Sequence, residues 1–237
     1  TKTTTEGYDG KGQFVIKEAG QCELAWQTIG LIDDKPRELI VESFVNFKRE
    51  LSIIAVRSSN DDMKVYPLTE NDHHEGILRY SFAPAESVAT ETAEQANTYI
   101  KELMHELGHV GVLTLELFET ESGLVANEMA PRVHNSGHWT IEGCVSSQFE
   151  NHLRAITGMP LGDTSANRPT CMINIISEKG DIESIMNLPY AHVHLYAKEE
   201  RLGRKLGHIT VQADSTEELR WRVKNVASFL PGSPALD

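Results

Sequence analysis

Glu116 and Glu128 flank a Glu121-Ser122-Gly123 turn, and the residues on either side alternate apolar and polar as paired strands do. A three-residue hairpin loop favours a type I turn followed by a left-handed residue, usually Gly, and this triplet has that order. Counting outward from Thr120 opposite Leu124, with no bulge, pairs Glu119 with Val125, Phe118 with Ala126, Leu117 with Asn127 and Glu116 with Glu128. Directly opposed side chains stand about 4.5–5.5 Å apart at Cβ, where like charges repel unless something compensates. Magnesium, held by one or two carboxylates together with substrate phosphates, is the ion such a pair suits. The bland alternative is an edge hairpin whose glutamates splay into solvent.

The neighbouring residues favour chemistry. Just past Glu128, the run M-A-P-R-V-H-N-S-G-H crowds Arg132, His134, Asn135 and His138 onto a loop at a strand end, where binding groups gather. Arg132 suits a bidentate grip on a planar oxyanion such as bicarbonate, and His134 or His138 suits proton transfer near neutral pH. Lys198, Arg201, Arg204 and Lys205 form a second basic group, fit for a substrate phosphate or else a solvated turn. In Gly7-Tyr8-Asp9-Gly10-Lys11-Gly12 the glycines let the backbone approach phosphates, with Lys2 and Lys11 supplying charge. The order G-x-x-x-x-G-K-[ST] is absent and a strand pattern follows, so the segment reads as a lid between strands, or as a plain surface hairpin. His105-Glu106-Leu107-Gly108-His109 spells H-E-x-x-H, with Glu128 at a distance that would supply a third zinc ligand. Gly108 and Gly111 end the helix first, so His109 does not share a face with His105 and a peptidase site is not expected.

These groups need positioning elements. Strand patterns cover residues 14–16, 39–45, 51–56, 65–68 and 77–82, then a helix opens on a Thr92-x-x-Gln95 capping box and ends at Gly108. Strands 113–117 and 124–129 carry the glutamates. A helix is written by Ile141, Val145, Phe149, Leu153 and Ile156, and the tail offers strands at 172–177, 192–197 and 208–213 before a helix at 216–229. A shorter helix spans 22–29, and Pro160 to Pro169 is the softest boundary.

The chain of 237 residues, 40% hydrophobic, suffices for one large or two small cores. Its net charge of -13 argues against nucleic acid or anionic membrane as the main partner. With no apolar run of about 18 residues and a polar start, neither a spanning helix nor a signal peptide is expected, which points to the cytoplasm. Cys22, Cys144 and Cys171 are an odd number without metal-ligand spacing and read as buried free thiols.

Taken together, E-G-Y-D-G-K-G-Q, V-E-S-F-V-N-F-K-R-E-L-S, L-E-L-F, N-E-M-A-P-R-V-H-N-S-G-H-W-T and K-E-E-R-L-G-R-K-L-G-H resemble the 5-(carboxyamino)imidazole ribonucleotide synthases, ligases of the ATP-grasp class. The resemblance implies an α+β chain: a partial ATP-grasp lid subdomain at 1–47, a large antiparallel-sheet catalytic subdomain at 48–160 and a small β-rich C-terminal domain at 161–237. It implies ATP between the two subdomains, contacted by Lys2, Gly7, Tyr8, Asp9, Gly10, Lys11, Gly12 and Gln13 over the phosphates. Glu42, Ser43, Phe44 and Val45 would lie along the adenine, Glu50 at the ribose, and His73, Asn127 and Glu128 would complete the nucleotide contacts. Glu116 and Glu128 would hold Mg2+. Tyr8, Asp9, Lys11, Arg132, His134, Asn135, Lys198, Arg204 and Lys205 would serve bicarbonate, carboxyphosphate and the aminoimidazole ribonucleotide, with Asp9, Lys11, Arg132 and His134 catalytic. A homodimer is also implied. Members of the family begin with a further α/β domain of roughly a hundred residues, so these residues alone are expected to be inactive. Another ATP-grasp carboxylase or ligase, and a non-catalytic nucleotide-binding dimerisation module, are the competing readings.

Overall fold

The structure, a computed structural model, describes residues 1–4, 12–32 and 35–236. They form two compact units, one of Thr1–Asn46 with His74–Ile77, the other of Phe47–His73 with Leu78–Asp237.

The first unit contains β1 (Lys2–Thr3), α1 (Cys22–Ile29), β2 (Leu31–Ile32), β3 (Lys35–Pro36) and β4 (Leu39–Ile40). Strand β1 pairs with β4 and β2 with β3, all antiparallel. Helix α1 buries Ala25 and Ile29, one turn apart, and stops where Gly30 donates its N–H to the Trp26 carbonyl. Two expectations are corrected. Residues 14–16 form no strand; instead Gln13 makes an isolated bridge to Lys2. The expected strand at 39–45 shrinks to Leu39–Ile40, and the chain beyond it leaves Val41 and Phe44 exposed, without the cross-strand packing that a longer strand needs. Cys22, the first residue of α1, is exposed rather than buried as expected; Cys144 and Cys171 are buried.

The second unit is built on a nine-stranded sheet. Its strands are β5 (Arg49–Arg57), β6 (Met63–Val65), β7 (Thr69–His74), β8 (Ile77–Ala83), β9 (Gly111–Thr120), β10 (Gly123–Ala130), β11 (Thr170–Ile176), β12 (Ala191–Leu195) and β13 (Lys205–Gln212). The order is β10-β9-β5-β7-β8-β11-β13-β12, with β6 beside β5; β5 runs antiparallel to β6, β7 and β9, β9 to β10, β11 to β8 and β13, and β13 to β12. The helices are α2 (Thr90–Glu106), α3 (Thr140–Gly143), α4 (Gln148–Ile156), α5 (Ile182–Met186) and α6 (Thr216–Ala227). Central β5 is buried from Leu51 to Val56: Leu51, Ile53 and Ala55 pack with Ala96, Ile100 and Met104 of α2, while Ile54 and Val56 join Trp139 and Ala155 on the opposite face. A third cluster joins Ile173, Ile209 and Val211 to Leu219, Val223 and Val226 of α6.

Helix α2 starts at Thr90, with Ala89 as its unassisted N-cap, so the Thr92 capping box does not form; the Gln95 amide bonds the Tyr99 hydroxyl and accepts the Leu124 N–H. Its end is as expected, with Gly108 at φ +56°. The single helix expected at 141–156 is two short ones, because Cys144 bridges to Ala166 and Ser146 donates to the Asp163 carbonyl. Helix α4 buries Gln148, Asn151 and Ala155 and leaves the periodic Leu153 and Ile156 exposed. Among the described residues no helix is long and apolar enough to cross a membrane.

Candidate active site

The hairpin carries its glutamates to the same point by a different route from the count. Thr120 pairs with Gly123, whose φ is +117°, so the register runs Glu119–Leu124, Phe118–Val125, Leu117–Ala126, one residue off. An extra residue at Asn127 then restores it and sets Glu116 opposite Glu128. Leu124 belongs with Leu113, Leu115 and Leu117 in the core against α2. Strict alternation from Leu124 would send Glu128 to that apolar face; the bulge turns it to the face of Glu116.

Glu116 sits in a ring of charge. Its side chain is 14% exposed and its Oε1 lies 3.6 Å from His134 Nε2. Burial, partly offset by His73 and reinforced by Glu128 and Glu50, raises its carboxyl from 4.5 to about 7, with Lys205 pulling the other way. On β7, His73 Nδ1 is 3.1 Å from Glu50 Oε2. Burial alone would lower the basicity of His73, but the hydrogen bond and charge of Glu50, then Glu116 and Asp72, outweigh it and raise the imidazole above 6.5. Glu50 and His73 also line a cavity of about 470 Å³ with Phe47, Glu70, Asp72 and Arg220.

The raised carboxyl has a consequence for stability. The unfolded chain releases the Glu116 proton near 4.5, whereas the folded protein keeps it to about pH 7, so the folded state binds more protons in between. Stability contributed by this group is complete below 4.5 and is lost as pH rises through about 7. Glu116→Gln is therefore expected to unfold with a gain on the order of 2 kcal/mol over the parent at about pH 8, and with little gain at about pH 4. Urea titrations in the presence of a chelator check this, and parallel pH dependence of the two proteins would refute it.

The loop after β10 is held from behind. The side-chain oxygen of Gln148, a fully buried residue, accepts the His134 N–H at 3.0 Å while its amide donates to the His134 carbonyl at 2.7 Å. Trp139 Nε1 donates to Thr69 Oγ1 at 3.0 Å, pinning the same segment to β7. His134 Nδ1 meets Ser136 Oγ at 2.9 Å, and Ser52 Oγ bonds Ser136 Oγ at 3.0 Å. Ser52 faces Glu116 across β5 and β9, which closes the circuit Glu116, His134, Ser136, Ser52. Arg132 is exposed and donates to the Val133 carbonyl at 3.0 Å. His138 Nδ1 lies 2.9 Å from the His134 carbonyl. Burial, then Arg132, depresses the His134 imidazole to about 3, and burial depresses His138 to about 4, which favours neutral hydrogen bonding over proton transfer near neutral pH at both.

The other expected site residues divide clearly. Lys205 opens β13 and its charge acts on both Glu116 and His134. Lys198 stands 5.3 Å above the Tyr196 ring, and Arg204 donates to the Glu199 carbonyl at 3.5 Å. Asn127 is the bulge residue, and both side-chain polar atoms of Asn135 are buried without a hydrogen-bond partner among the described residues. In the first unit, Lys2 pairs with Glu42 at 2.9 Å and the Gly12 carbonyl accepts the Thr3 N–H at 2.9 Å, while Ser43, Phe44 and Val45 lie beyond β4. Gly7, Tyr8, Asp9, Gly10 and Lys11 lie outside the described residues. Sequence reasoning missed Ser52, Ser136 and Gln148; only Ser52 carried a signal, as a lone hydroxyl inside the apolar run 51–56.

Among the described residues no group of three or more His, Cys, Asp or Glu side chains is arranged to hold a metal ion. Two opposed carboxylates, one made reluctant to ionise chiefly by burial, nevertheless fit a hard cation that takes its remaining ligands from phosphate and water.

Known proteins share this architecture. Residues 1–149 match the ATP-grasp domain, and residues 170–222 match the phosphoribosylaminoimidazole carboxylase C-terminal domain. The chain is 45% identical over 231 residues to the N5-carboxyaminoimidazole ribonucleotide synthase of Vibrio cholerae, covering 97% of this chain and 60% of that protein. It thus spans about three fifths of such relatives. The crystal structure of N5-carboxyaminoimidazole ribonucleotide synthetase from Thermus thermophilus superposes with a TM-score of 0.89 at 42% identity, over 95% of this chain and 61% of that one. The Aspergillus clavatus N5-carboxyaminoimidazole synthase, solved with ADP and 5-aminoimidazole ribonucleotide, gives 0.84 at 32%, over 92% and 60%.

Proposed function

Because the chain belongs to the ATP-grasp family, we propose that it forms the nucleotide-binding and catalytic part of an N5-carboxyaminoimidazole ribonucleotide synthase. The reaction is ATP-dependent carboxylation of 5-aminoimidazole ribonucleotide by bicarbonate. The observation that carries the reading is the bulge-set pair Glu116 and Glu128 beside the buttressed Arg132–His134 loop, in a chain whose relatives bear that name.

In this reading an oxygen of bicarbonate bonds to the γ-phosphorus of ATP as the bond to the ADP oxygen breaks, giving carboxyphosphate. That intermediate falls apart to carbon dioxide and phosphate; the exocyclic amine of the ribonucleotide bonds to the carbon dioxide and its proton leaves to the phosphate. Magnesium brought with ATP would be held by Glu116 and Glu128 and would neutralise charge on the phosphate oxygens. Arg132 grips the carboxylate face of bicarbonate, and Lys205 adds positive charge beside Glu116. His134, kept neutral by burial, orients its imidazole through Ser136 and offers a hydrogen bond without adding charge. Lys2, Gly12, Gln13, Glu42, Ser43, Phe44, Val45, Glu50, His73 and Asn127 keep the nucleotide role that the resemblance implies, as do Lys198, Asn135 and Arg204 for the ribonucleotide. The match at 170–222 supports reading 161–237 as the C-terminal domain. A homodimer is proposed on the same resemblance, and the cytoplasm is the compartment proposed from the sequence pattern.

The test is ADP release by the full-length protein, which should require bicarbonate and 5-aminoimidazole ribonucleotide together. Release supported by biotin or formate in place of the ribonucleotide would assign the chain to a different ATP-grasp ligase, and nucleotide binding without turnover would make it a binding module.

A further inference from the structure

Behind the site lies a group of rings that the proposed chemistry does not use. His194 and His208 are cross-strand partners on β12 and β13 and stack at 4.4 Å between centroids, 11° from parallel. His194 Nε2 is fixed to Glu142 Oε1 at 2.8 Å, and His138 meets His208 edge-on at 5.0 Å. His208 is 2% exposed. Its Nδ1 lies 2.7 Å from the Tyr196 hydroxyl. Burial raises the Tyr196 hydroxyl to about 12 and, with the charges of His138 and His194, depresses His208 to about 2. Tyr196 and a neutral His208 thus share a hydrogen bond at Nδ1, and the other ring nitrogen of His208 is Nε2. That nitrogen has no partner among the described residues. A buried ring nitrogen without a partner costs stability that a phenyl ring in its place would not, and the other nitrogen, Nδ1, holds the Tyr196 hydroxyl.

What it holds is the ring beneath Lys198. The ammonium lies 5.3 Å from the centre of the Tyr196 ring, a distance at which the face of the ring attracts it. Lys198 is exposed and stands on an irregular stretch after β12, so a long flexible side chain there has little else to define its position. We infer that Tyr196, anchored through its hydroxyl to His208, is a positioning residue that fixes the Lys198 ammonium for an anionic group of the aminoimidazole ribonucleotide. The inference deepens the proposed function and rests on its assignment of Lys198 to that substrate.

The experiment is a double-mutant cycle on the full-length enzyme with Tyr196→Phe, Lys198→Ala and both together, measuring kcat and the KM of each substrate. Tyr196→Phe keeps the ring and the fold and is expected to raise KM for the ribonucleotide about 3- to 10-fold, with KM for ATP and kcat nearly unchanged. Lys198→Ala should raise the same KM further, and adding Tyr196→Phe to it should cost nothing more, because the positioned group is gone. An undiminished effect of Tyr196→Phe in the Lys198→Ala background, or equal increases in KM for ATP and ribonucleotide, would overturn the inference. Should Lys198→Ala by itself leave ribonucleotide KM unchanged, the substrate assignment of Lys198 fails and the positioning role falls with it, while bicarbonate- and ribonucleotide-dependent ADP release still stands as a separate result.

Discussion

Glu128→Gln is expected to lower ATP turnover by the full-length enzyme about 10²- to 10³-fold, because a carboxylate that holds a divalent ion contributes several kcal/mol to the transition state. The fold should survive the change. Glu128 is exposed on β10, and its position is set by backbone pairing and the Asn127 bulge rather than by its own contacts. The amide is isosteric, keeps the side chain where it was, and removes only the charge. The loss should therefore fall on magnesium-dependent steps, with raised magnesium recovering part of the activity and the apoprotein at least as stable to heat as the parent, since the repulsion of Glu116 is relieved. Glu128→Asp separates charge from reach: it keeps the anion but withdraws it by one methylene, and an intermediate loss is expected. A loss below about tenfold in Glu128→Gln would sink the metal assignment.

This pair also shows how far the sequence reading reaches. The count from the Glu121-Ser122-Gly123 turn arrived at Glu116 opposite Glu128 through two errors that cancel: the loop closes one residue early at Thr120–Gly123, and the bulge at Asn127 restores the register. Bulges leave no period in the sequence, so the side of the sheet on which Glu128 emerges was not legible from alternation. Helix α2 and strands β5 and β9 were legible, because each buries a continuous apolar face against the others. Strand β7 was not, since T-E-N-D-H-H has neither β-branched runs nor alternation and is held by pairing with β5 and β8. The opposite failure occurred at 141–156, where apolar residues at helical spacing turned out to face solvent while Gln148 and Asn151 went inside. Those two amides are buried because they have backbone and hydroxyl partners waiting, in the His134 peptide, Tyr66 and Gly162. Partners of that kind come from distant parts of the chain and have no local signature. Among the candidate site residues Glu116, Glu128, Arg132 and His134 were accordingly readable as a cluster, and Ser136 and Gln148, which hold His134, were not.

Arg132→Ala should lower kcat/KM for bicarbonate by about 10²- to 10³-fold, the scale of removing one preorganised donor to developing negative charge. Arg132→Lys is expected to recover only part of this, since an ammonium restores the charge but not the planar fork that matches a carboxylate. The substitution also reports on His134. Burial is the largest cause of the depressed His134 imidazole and the Arg132 charge the next, so without Arg132 the titration midpoint should move up from about 3 yet stay under the ordinary 6.5. Ring-proton resonances of His134 give that midpoint directly. A histidine that titrated at its ordinary value in Arg132→Ala would mean that burial behind Gln148 and Ser136 does not set its neutral state, and His134 would then carry a proton into the site instead of a hydrogen bond. If Arg132→Ala kept bicarbonate kcat/KM within about tenfold, the oxyanion grip would have to come from another cation, and Lys205, whose charge already reaches both Glu116 and His134, is the residue next in line.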